Sequence, residues 1–224
     1  METLLETRDL SKLYSIGERK VKVLQSVSLI VGEGEFVVIS GSSGSGKTTL
    51  LSLLSGLDRP SSGRIILDGQ DITDLTEDQL APVRNELTGF VFQAFHLIPS
   101  LNSLENIMFP AELQGDSQAK EKAEQLLKKV GLSQRLNNFP EQLSGGEKQR
   151  VAICRALVNE PKIIFADEPT GNLDSENSEG IIELLRSIHQ DQNATIVMAT
   201  HNKAIAEKAD RIFHLHDGRL TVER

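Results

Sequence analysis

One eight-residue segment constrains the fold of this chain more than any other part of its sequence. The segment matches the pattern G-x-x-x-x-G-K-[ST] and consists of Gly41, Ser42, Ser43, Gly44, Ser45, Gly46, Lys47 and Thr48. An apolar run at 36–39 precedes it and a leucine-rich run at 49–54 follows it, which predicts a buried strand, a loop and a helix in succession. In that arrangement backbone N–H groups converge on an anion at the helix N-terminus. The segment therefore predicts a phosphate-binding loop in an α/β fold.

Two side chains at the end of this loop have the chemistry that a nucleoside triphosphate requires. We expect the Lys47 ammonium to reach the β- and γ-phosphates and the Thr48 hydroxyl to bind Mg²⁺. Thr49, the next residue, belongs to the same predicted binding set. The alternative is a glycine-rich turn that only connects a strand to a helix. The flanking apolar runs favour the functional interpretation.

Two carboxylates directly follow a second apolar run, at 163–166. Because ligands of doubly wound sheets bind at the carboxyl ends of the strands, we expect Asp167 to face the phosphate loop and hold Mg²⁺, through a water molecule. Glu168 is one residue further and is placed to polarise an attacking water as a general base. The alternative is a pair of solvated charges that open a loop before Pro169. The phosphate loop elsewhere in the chain favours the catalytic interpretation.

Two more predicted strands end in polar side chains that fit the same site. Gln93 follows the run at 89–92, and His201 follows the run at 195–200. Glutamine can contact both Mg²⁺ and a water molecule, and histidine can donate to a γ-phosphate. Considered alone, His201 would more often be a helix cap or a surface residue. Its position after an apolar strand favours a role in the site, so we expect Gln93, His201 and Lys47 to assist Glu168.

The predicted strands and helices divide the chain into a core and an insertion. Apolar runs and period-two alternation predict strands at 20–31, 36–39, 64–67, 163–166, 195–199 and 212–215. Helical periodicity predicts helices at 117–131, 179–189 and 203–208. A further helix is expected after Ser144, with Val151, Cys154 and Val158 facing inward. Strands that alternate with helices predict a parallel sheet covered on both faces, and the helical block interrupts that alternation.

Composition and charge disfavour several classes of protein. The net charge is −8, and an acidic surface argues against broad nucleic-acid binding because the phosphate backbone requires a positive field. The single cysteine permits no internal disulfide, which fits a reducing compartment. The sequence contains neither an apolar run near the ~18 residues of a membrane span nor the features of a signal peptide. We expect a cytoplasmic protein that a partner holds at the membrane.

The order of the motifs resembles that of one large family. Residues 143–147, Leu-Ser-Gly-Gly-Glu, resemble the ABC signature sequence, which usually ends in glutamine. Together with the phosphate loop and the four polar residues above, they make the chain similar to the ATP-binding subunits of ABC transporters over essentially its whole length. Residues 90–99 and 167–175 resemble a narrower branch of lipoprotein-releasing, macrolide-exporting and cell-division ATPases (LolD, MacB and FtsE).

This resemblance implies the fold, the cofactors and the domain organisation. The fold is that of a P-loop NTPase with a mostly parallel core sheet, an N-terminal antiparallel β subdomain and an inserted helical subdomain, and the cofactors are ATP and Mg²⁺. We expect residues 1–93 and 160–224 to form the core with the antiparallel subdomain. Residues 94–159 are expected to form the helical subdomain that carries the signature, all within a single domain of 224 residues.

The signature segment has two compatible interpretations. Ser144-x-x-Glu147 is a capping box that begins a helix, and Gly145 and Gly146 at its tip offer N–H groups to an anion. The resemblance implies that this anion is the γ-phosphate of ATP bound by a second copy. Two subunits would then enclose two ATP molecules, with Ser144 and Gly146 acting in trans. Glu147 adds a negative charge that suits capping, and we do not expect it to abolish activity.

The resemblance also implies contacts with adenine, with the second copy and with a membrane protein. Tyr14 is expected to stack on adenine, although a surface or core tyrosine is the alternative. Residues 171–174 are expected to contact the phosphate loop of the second copy, and residues 94–107 to face an integral membrane permease at the inner face of the cell membrane.

The implied function is ATP hydrolysis that drives export or extraction of a lipidated or hydrophobic substrate. The first alternative is a mechanical transmitter in cell division. ABC ATPases of DNA repair or translation are disfavoured, since the chain has neither a long coiled coil nor a second ABC unit. An iron–sulfur assembly ATPase is a further alternative.

Overall fold

The computed structural model describes residues 2–17 and 19–223. Strands span Thr3–Ile16 (β1), Arg19–Gly32 (β2), Phe36–Ser40 (β3), Ser62–Leu67 (β4), Gln70–Asp71 (β5), Thr88–Val91 (β6), Ile163–Asp167 (β7), Thr195–Thr200 (β8), Arg211–His216 (β9) and Arg219–Glu223 (β10). Helices span Lys47–Leu54 (α1), Glu77–Leu87 (α2), Ser103–Leu113 (α3), Ala119–Lys129 (α4), Gly145–Leu157 (α5), Ser175–Gln192 (α6) and Lys203–Ala206 (α7), with a 3₁₀ turn at Pro140–Gln142.

The described strands form two sheets. One has the order β2-β1-β4-β5 and is antiparallel throughout. The other has the order β10-β9-β3-β8-β7-β6, in which every pair is parallel except the β9–β10 hairpin. The mostly parallel core sheet and the N-terminal antiparallel sheet are therefore confirmed. The strand order places the ends of β3, β6, β7 and β8 along one edge of the core sheet.

The central strands are apolar on both faces because both faces are covered. Successive residues of β3 point to opposite sides: Val37 and Ile39 join the core shared with α1 and the antiparallel sheet, while Phe36 and Val38 join the core shared with α5 and α6. Residues 163–167 and 195–200 are buried throughout. This double burial explains why these strands consist of short, uninterrupted apolar runs.

Helices α3, α4 and α5 build a third core. On α4 the buried residues Ala119, Ala123 and Leu127 recur every fourth position and so form one face of the helix. Val151, Cys154 and Val158 are buried in the same cluster, as predicted. The helix predicted at 117–131 is thus confirmed with slightly narrower bounds, whereas the division of the chain at residues 94 and 159 stays a prediction.

Several elements differ from the sequence prediction. Apolar periodicity does not predict α2, because its buried residue is Leu80 and it contains Pro82. Helix α6 begins four residues earlier than predicted, because Asp174 caps it by accepting a hydrogen bond from the backbone of Asn177 at 2.9 Å. Helix α7 ends two residues earlier than predicted, at Ala206. Among the described residues, no helix has both the length and the apolar character that crossing a bilayer requires.

Candidate nucleotide-binding site

The phosphate loop joins β3 to α1 and places the start of α1 at the carboxyl ends of the strands of the core sheet. Gly46 caps the helix with φ of 105°, a value that favours glycine. A side chain there would also come within 3.2 Å of the Val23 carbonyl oxygen. The amide groups of the first helical turn lack partners within the helix and so point into the space beyond the loop, which gives this space the character of an anion site.

Lys47 lies inside the loop that it terminates. Its side chain is almost fully buried, and the Nζ atom donates hydrogen bonds to the carbonyl oxygens of Gly41 at 2.9 Å and Ser42 at 3.2 Å. The same atom lies 3.6 Å from Oε1 of Glu168. The ammonium group is therefore held at the mouth of the loop by oxygen atoms, which phosphate oxygens of a ligand could replace.

The Glu168 carboxylate contacts two side chains, those of Lys47 and His201. Its Oε1 atom lies 2.9 Å from Nδ1 of His201, in addition to its contact with Lys47. The Glu168 side chain is 15% exposed and that of His201 is 70% exposed. Glu168 also has a φ of 44°, in the left-handed region that a non-glycine residue rarely adopts. Such backbone strain concentrates at functional sites because the surroundings must enforce it.

Asp167 lies beside Thr48, and both have the donor atoms that Mg²⁺ prefers. Burial raises the pKa of Asp167 above its ordinary value, and a hydrogen bond with the Thr48 side chain opposes this rise. The Oδ1 atom of Asp167 is buried and has no hydrogen-bond partner among the described residues. An orphaned carboxylate oxygen next to a hydroxyl fits a divalent cation that prefers oxygen ligands. The residues present are therefore compatible with Mg²⁺.

Gln93 faces the same space, but its amide is held by another residue. Its Nε2 atom donates to Oδ1 of Asn172 at 3.3 Å, and Nδ2 of Asn172 donates to the Gln93 carbonyl oxygen at 3.0 Å. In this arrangement Gln93 is hydrogen-bonded to Asn172 of the segment 171–174. The Oε1 atom of the Gln93 amide is the one that could contact a metal ion or accept from a water molecule.

A cavity of about 390 Å³ gathers most of the predicted residues. Its lining consists of Val23, Ser43, Gly44, Gly46, Lys47, Thr48, Thr49, Gln93, Glu168 and His201. Residues from separate parts of the sequence thus meet at one edge of the sheet. Val23 is the lining residue that the sequence did not suggest, since an apolar residue on a strand carries no signal of ligand contact.

The signature residues lie outside this cavity within a single chain. The predicted capping box is present: Ser144 N donates to Oε2 of Glu147 at 2.8 Å, and Glu147 N donates to Oγ of Ser144 at 3.3 Å. Gly145 and Gly146 form the first turn of α5. A side chain on Gly146 would collide with Asn177, so the glycine allows α6 to approach closely.

Glu147 has a second partner that the sequence did not reveal. Its Oε1 atom accepts a hydrogen bond from Nε of Arg135 at 2.9 Å. The hydrogen bond from the Ser144 backbone, reinforced by Arg135, holds the pKa of Glu147 below its ordinary value. Glutamine, the residue usual in the signature, could form the cap but not the ion pair.

Tyr14 also lies outside the cavity lining, on β1 opposite Val21. Its hydroxyl donates to Oδ2 of Asp58 at 2.7 Å, and its side chain is partly exposed. Sequence reasoning missed Asp58, because it lies in a loop without a motif of its own. It also missed Asn172 as the partner of Gln93, since the two are 79 residues apart in sequence.

Comparison with known proteins identifies relatives over the whole chain. Residues 24–171 match the family model described as ABC transporter. The lipoprotein-releasing system ATP-binding protein LolD of Idiomarina loihiensis is 46% identical over 225 residues, covering 100% of this chain and 99% of that protein. The macrolide export ATP-binding/permease protein MacB of Syntrophobacter fumaroxidans is 47% identical over 224 residues, which cover 98% of this chain and 31% of MacB. The chain thus spans about a third of the length of the MacB relatives that it matches.

Solved structures share the same architecture. The ATP-binding cassette MJ0796, described as a dimer in a post-hydrolysis state bound to ADP and Pi, superposes with a TM-score of 0.90. It is 40% identical in sequence, and the match covers 99% of this chain and 97% of that chain. A second dimeric structure of MJ0796, described as a bacterial ABC transporter cassette, also gives a TM-score of 0.90, at 41% identity.

Proposed function

Because this chain belongs to the ABC transporter family, we propose that it hydrolyses ATP to ADP and phosphate and thereby powers an integral membrane permease. One observation carries the proposal: the Glu168 carboxylate lies between Lys47 of the phosphate loop and His201 of the neighbouring strand end. A general base in that position is close to the site of the γ-phosphate and is oriented by a second group.

Each residue of the site has a distinct task in this mechanism. Lys47 exchanges the loop carbonyls for the β- and γ-phosphate oxygens when ATP binds. Thr48 and Asp167 would hold Mg²⁺, with the Oε1 atom of Gln93 as a further ligand, and the ion would neutralise charge that develops on the phosphates. Glu168 orients the attacking water and accepts its proton. Through Nδ1, His201 keeps the carboxylate aimed, and with both ring nitrogens protonated it also donates from Nε2 to the γ-phosphate.

A second copy of the chain completes the site. The amide groups at the start of α5 suit an anion, yet Ser144, Gly145 and Gly146 do not line the cavity of their own chain. A symmetric dimer would bring the signature of one copy onto the ATP of the other and residues 171–174 beside the partner's phosphate loop. The dimeric description of the MJ0796 structures supports this arrangement.

The permease has a suitable docking site next to Gln93. A cleft of about 1060 Å³ lies between α2, β6, α3 and α5, and its lining includes Phe92, His96, Phe109, Leu113 and Arg155. Phe109 and Leu113 are exposed apolar side chains. A cytoplasmic segment of the permease would cover them, which would hold the protein at the inner face of the membrane and connect the permease to Gln93.

Two groups of hydrogen bonds hold the segment 94–107, which contributes His96 to the wall of this cleft. Arg155 on α5 donates to the carbonyl oxygens of Phe95 and His96. These two residues have φ values of 61° and 48°, so their backbone needs external support. Asn106 on α3 holds residues 98–102 in the same way. The segment 94–107 is thereby pre-shaped for the permease.

The substrate class follows from the relatives rather than from the site. Relatives similar over nearly the whole of this chain include proteins named for lipoprotein release and for macrolide export. We infer that the complex exports or extracts a lipidated or hydrophobic substrate.

The variant Glu168→Gln tests the mechanism. It preserves size but removes the proton acceptor, so hydrolysis should fall by about 10²-fold or more. ATP-dependent dimers should then accumulate and be visible on a sizing column. The matched control is Glu183→Gln, an exposed carboxylate on α6, which should hydrolyse ATP at the normal rate. Near-normal hydrolysis by the Glu168 variant would overturn the assignment of the base.

A further inference from the structure

The ring of Tyr14 is held by two side chains that have no part in phosphate binding. The Tyr14 hydroxyl donates to Oδ2 of Asp58 at 2.7 Å. Lys12 donates from Nζ to the other oxygen of the same carboxylate, also at 2.7 Å. The Lys12 Nζ atom also lies 4.8 Å from the centre of the Tyr14 ring. The aromatic ring is therefore fixed at its hydroxyl end and covered on one face by an ammonium group.

This cluster ties β1 to the loop that follows α1. Lys12 is buried, and its Nζ atom additionally donates to the carbonyl oxygen of Arg59. Asp58 is partly buried and accepts a hydrogen bond from the Arg59 backbone at 2.7 Å. Because Lys12 and Asp58 are both anchored in this way, the ring that they hold has little freedom to rotate.

The protonation states of the cluster agree with its geometry. Burial alone would raise the pKa of Asp58, but hydrogen bonds from Lys12 and Tyr14 outweigh burial and lower it. Burial and the hydrogen bond to Asp58 raise the pKa of Tyr14, and the nearby Thr49 side chain opposes that rise. A neutral phenol thus faces a charged carboxylate. Thr49 lines the cavity around the phosphate loop, so its proximity places the Tyr14 hydroxyl near the edge of that cavity.

We propose that Lys12 and Asp58 are positioning residues that hold the Tyr14 ring as a fixed stacking platform for the adenine of ATP. Tyr14 is 37% exposed, so part of its surface is open to a nucleobase. A ring ordered before the ligand arrives loses less conformational entropy on binding, which increases affinity. The inference rests on the proposed function, since it assumes that the site binds ATP, and on the expectation from the sequence that Tyr14 stacks on the base.

Measuring the affinity for ATP and for tripolyphosphate, each with Mg²⁺, separates the contribution of the base from that of the phosphates. The variants Asp58→Ala and Lys12→Met should raise the Kd for ATP about three- to tenfold, because they release the ring but leave it present. Tyr14→Phe, which removes only the hydroxyl, should raise it about threefold. Tyr14→Ala should raise it about tenfold or more through loss of stacking. All four should bind tripolyphosphate normally, because none of them alters the phosphate loop.

Two controls isolate positioning from general damage to the fold. Ser61→Ala removes a different hydrogen bond between the same two segments, from Leu13 N at 2.9 Å, without touching Tyr14. It should bind ATP normally. In a Tyr14→Ala background, Asp58→Ala should cause no further loss of ATP affinity, because Asp58 acts through the ring.

The outcomes distinguish this inference from the proposed function. If the unaltered protein binds neither ATP nor tripolyphosphate, the proposed function fails. If Tyr14→Ala binds ATP normally, or if Asp58→Ala and Tyr14→Phe both do, the positioning role is overturned while ATP hydrolysis stands. Equal losses of tripolyphosphate and ATP affinity in Asp58→Ala would also overturn it, since the effect would then lie in the phosphate loop.

Discussion

The Nδ1 atom of His201 lies 2.9 Å from the Oε1 atom of Glu168, although the two residues are 33 positions apart in the sequence. The ends of β7 and β8, which pair in parallel, bring them together. His201 is the more exposed partner, so it can approach a ligand while it steers the carboxylate. The pair joins a water-activating group to a group that can contact the γ-phosphate.

Replacing His201 by alanine should slow hydrolysis without preventing binding. Loss of the imidazole frees the Glu168 carboxylate and removes a donor to the γ-phosphate, so kcat should fall by about 10²-fold. The Kd for ATP should change by less than about threefold, since Lys47 and the loop are unaltered. Phosphate release and nucleotide titration measure the two effects. His216→Ala, an exposed histidine beside Asp217, serves as the control, and equal losses in both variants would refute the specific role.

Asp167→Asn should stabilise the nucleotide-free, metal-free protein at neutral pH. Because the pKa of Asp167 is raised on folding, the folded state holds its proton more tightly than the unfolded state does. The contribution of Asp167 to stability is therefore present at low pH and is lost as the pH rises through the pKa that Asp167 has in the folded state. Asparagine does not titrate, so its advantage should grow from acidic to neutral pH and reach about 1 kcal/mol. Urea unfolding at several pH values measures it, and a pH-independent difference would contradict this account.

The same substitution should impair the reaction that the carboxylate supports. The asparagine side chain would have one neutral oxygen where the buried carboxylate has a charge, so the concentration of Mg²⁺ needed for half-maximal hydrolysis should rise about tenfold or more. A magnesium titration of ATP turnover tests this expectation. An unchanged magnesium dependence would exclude Asp167 from the metal site.

Asn106→Ala should destabilise the protein more than Asn102→Ala, which removes the N-cap of the same helix. Asn106 is fully buried, and its amide makes four hydrogen bonds to the backbone of residues 98, 101 and 102. Their loss should lower the free energy of unfolding by about 2–4 kcal/mol. Asn102→Ala, which removes the N-cap of that helix, should cost about 1 kcal/mol. Urea unfolding compares the two, and equal costs would show that Asn106 is not the principal anchor of this segment.

Glu147→Gln should leave hydrolysis within about twofold of normal, since the amide oxygen of glutamine can still cap α5. The ion pair with Arg135 is lost. Because this pair is partly exposed, stability should fall by only about 0.5 kcal/mol, and the difference should shrink in high salt. Glu147→Ala loses the cap as well and should cost about 1 kcal/mol in urea unfolding. Large loss of activity in the glutamine variant would mean that the carboxylate has a chemical role.

Much of the site was predictable because each part of it follows an apolar strand. Asp167 ends β7 and Glu168 follows it, His201 follows β8, and Gln93 comes shortly after β6, so short sequence runs indicate where these residues lie. Capping boxes are equally local, and the one at Ser144 was predicted. The box at Thr76 and Gln79, which begins α2, carries the same signal and would have revealed that helix.

The remainder depends on contacts between distant segments. No local pattern pairs Tyr14 with Asp58 or Gln93 with Asn172, since each pair is formed by loops or strand ends that the fold brings together. The left-handed backbone of Glu168 is likewise invisible in sequence, because the residue type does not favour it.

Cys154, buried in the helical core, has a practical consequence for measurements in solution. It is the only cysteine of the chain, and burial raises the pKa of its thiol to about 12, so it should not react with maleimides while the protein is folded. A cysteine introduced on the surface would be the single reactive thiol without removal of the native one. Spin labels or fluorophores placed near Ser144 and near Ser43 could then measure how far the signature of one copy lies from the phosphate loop of another.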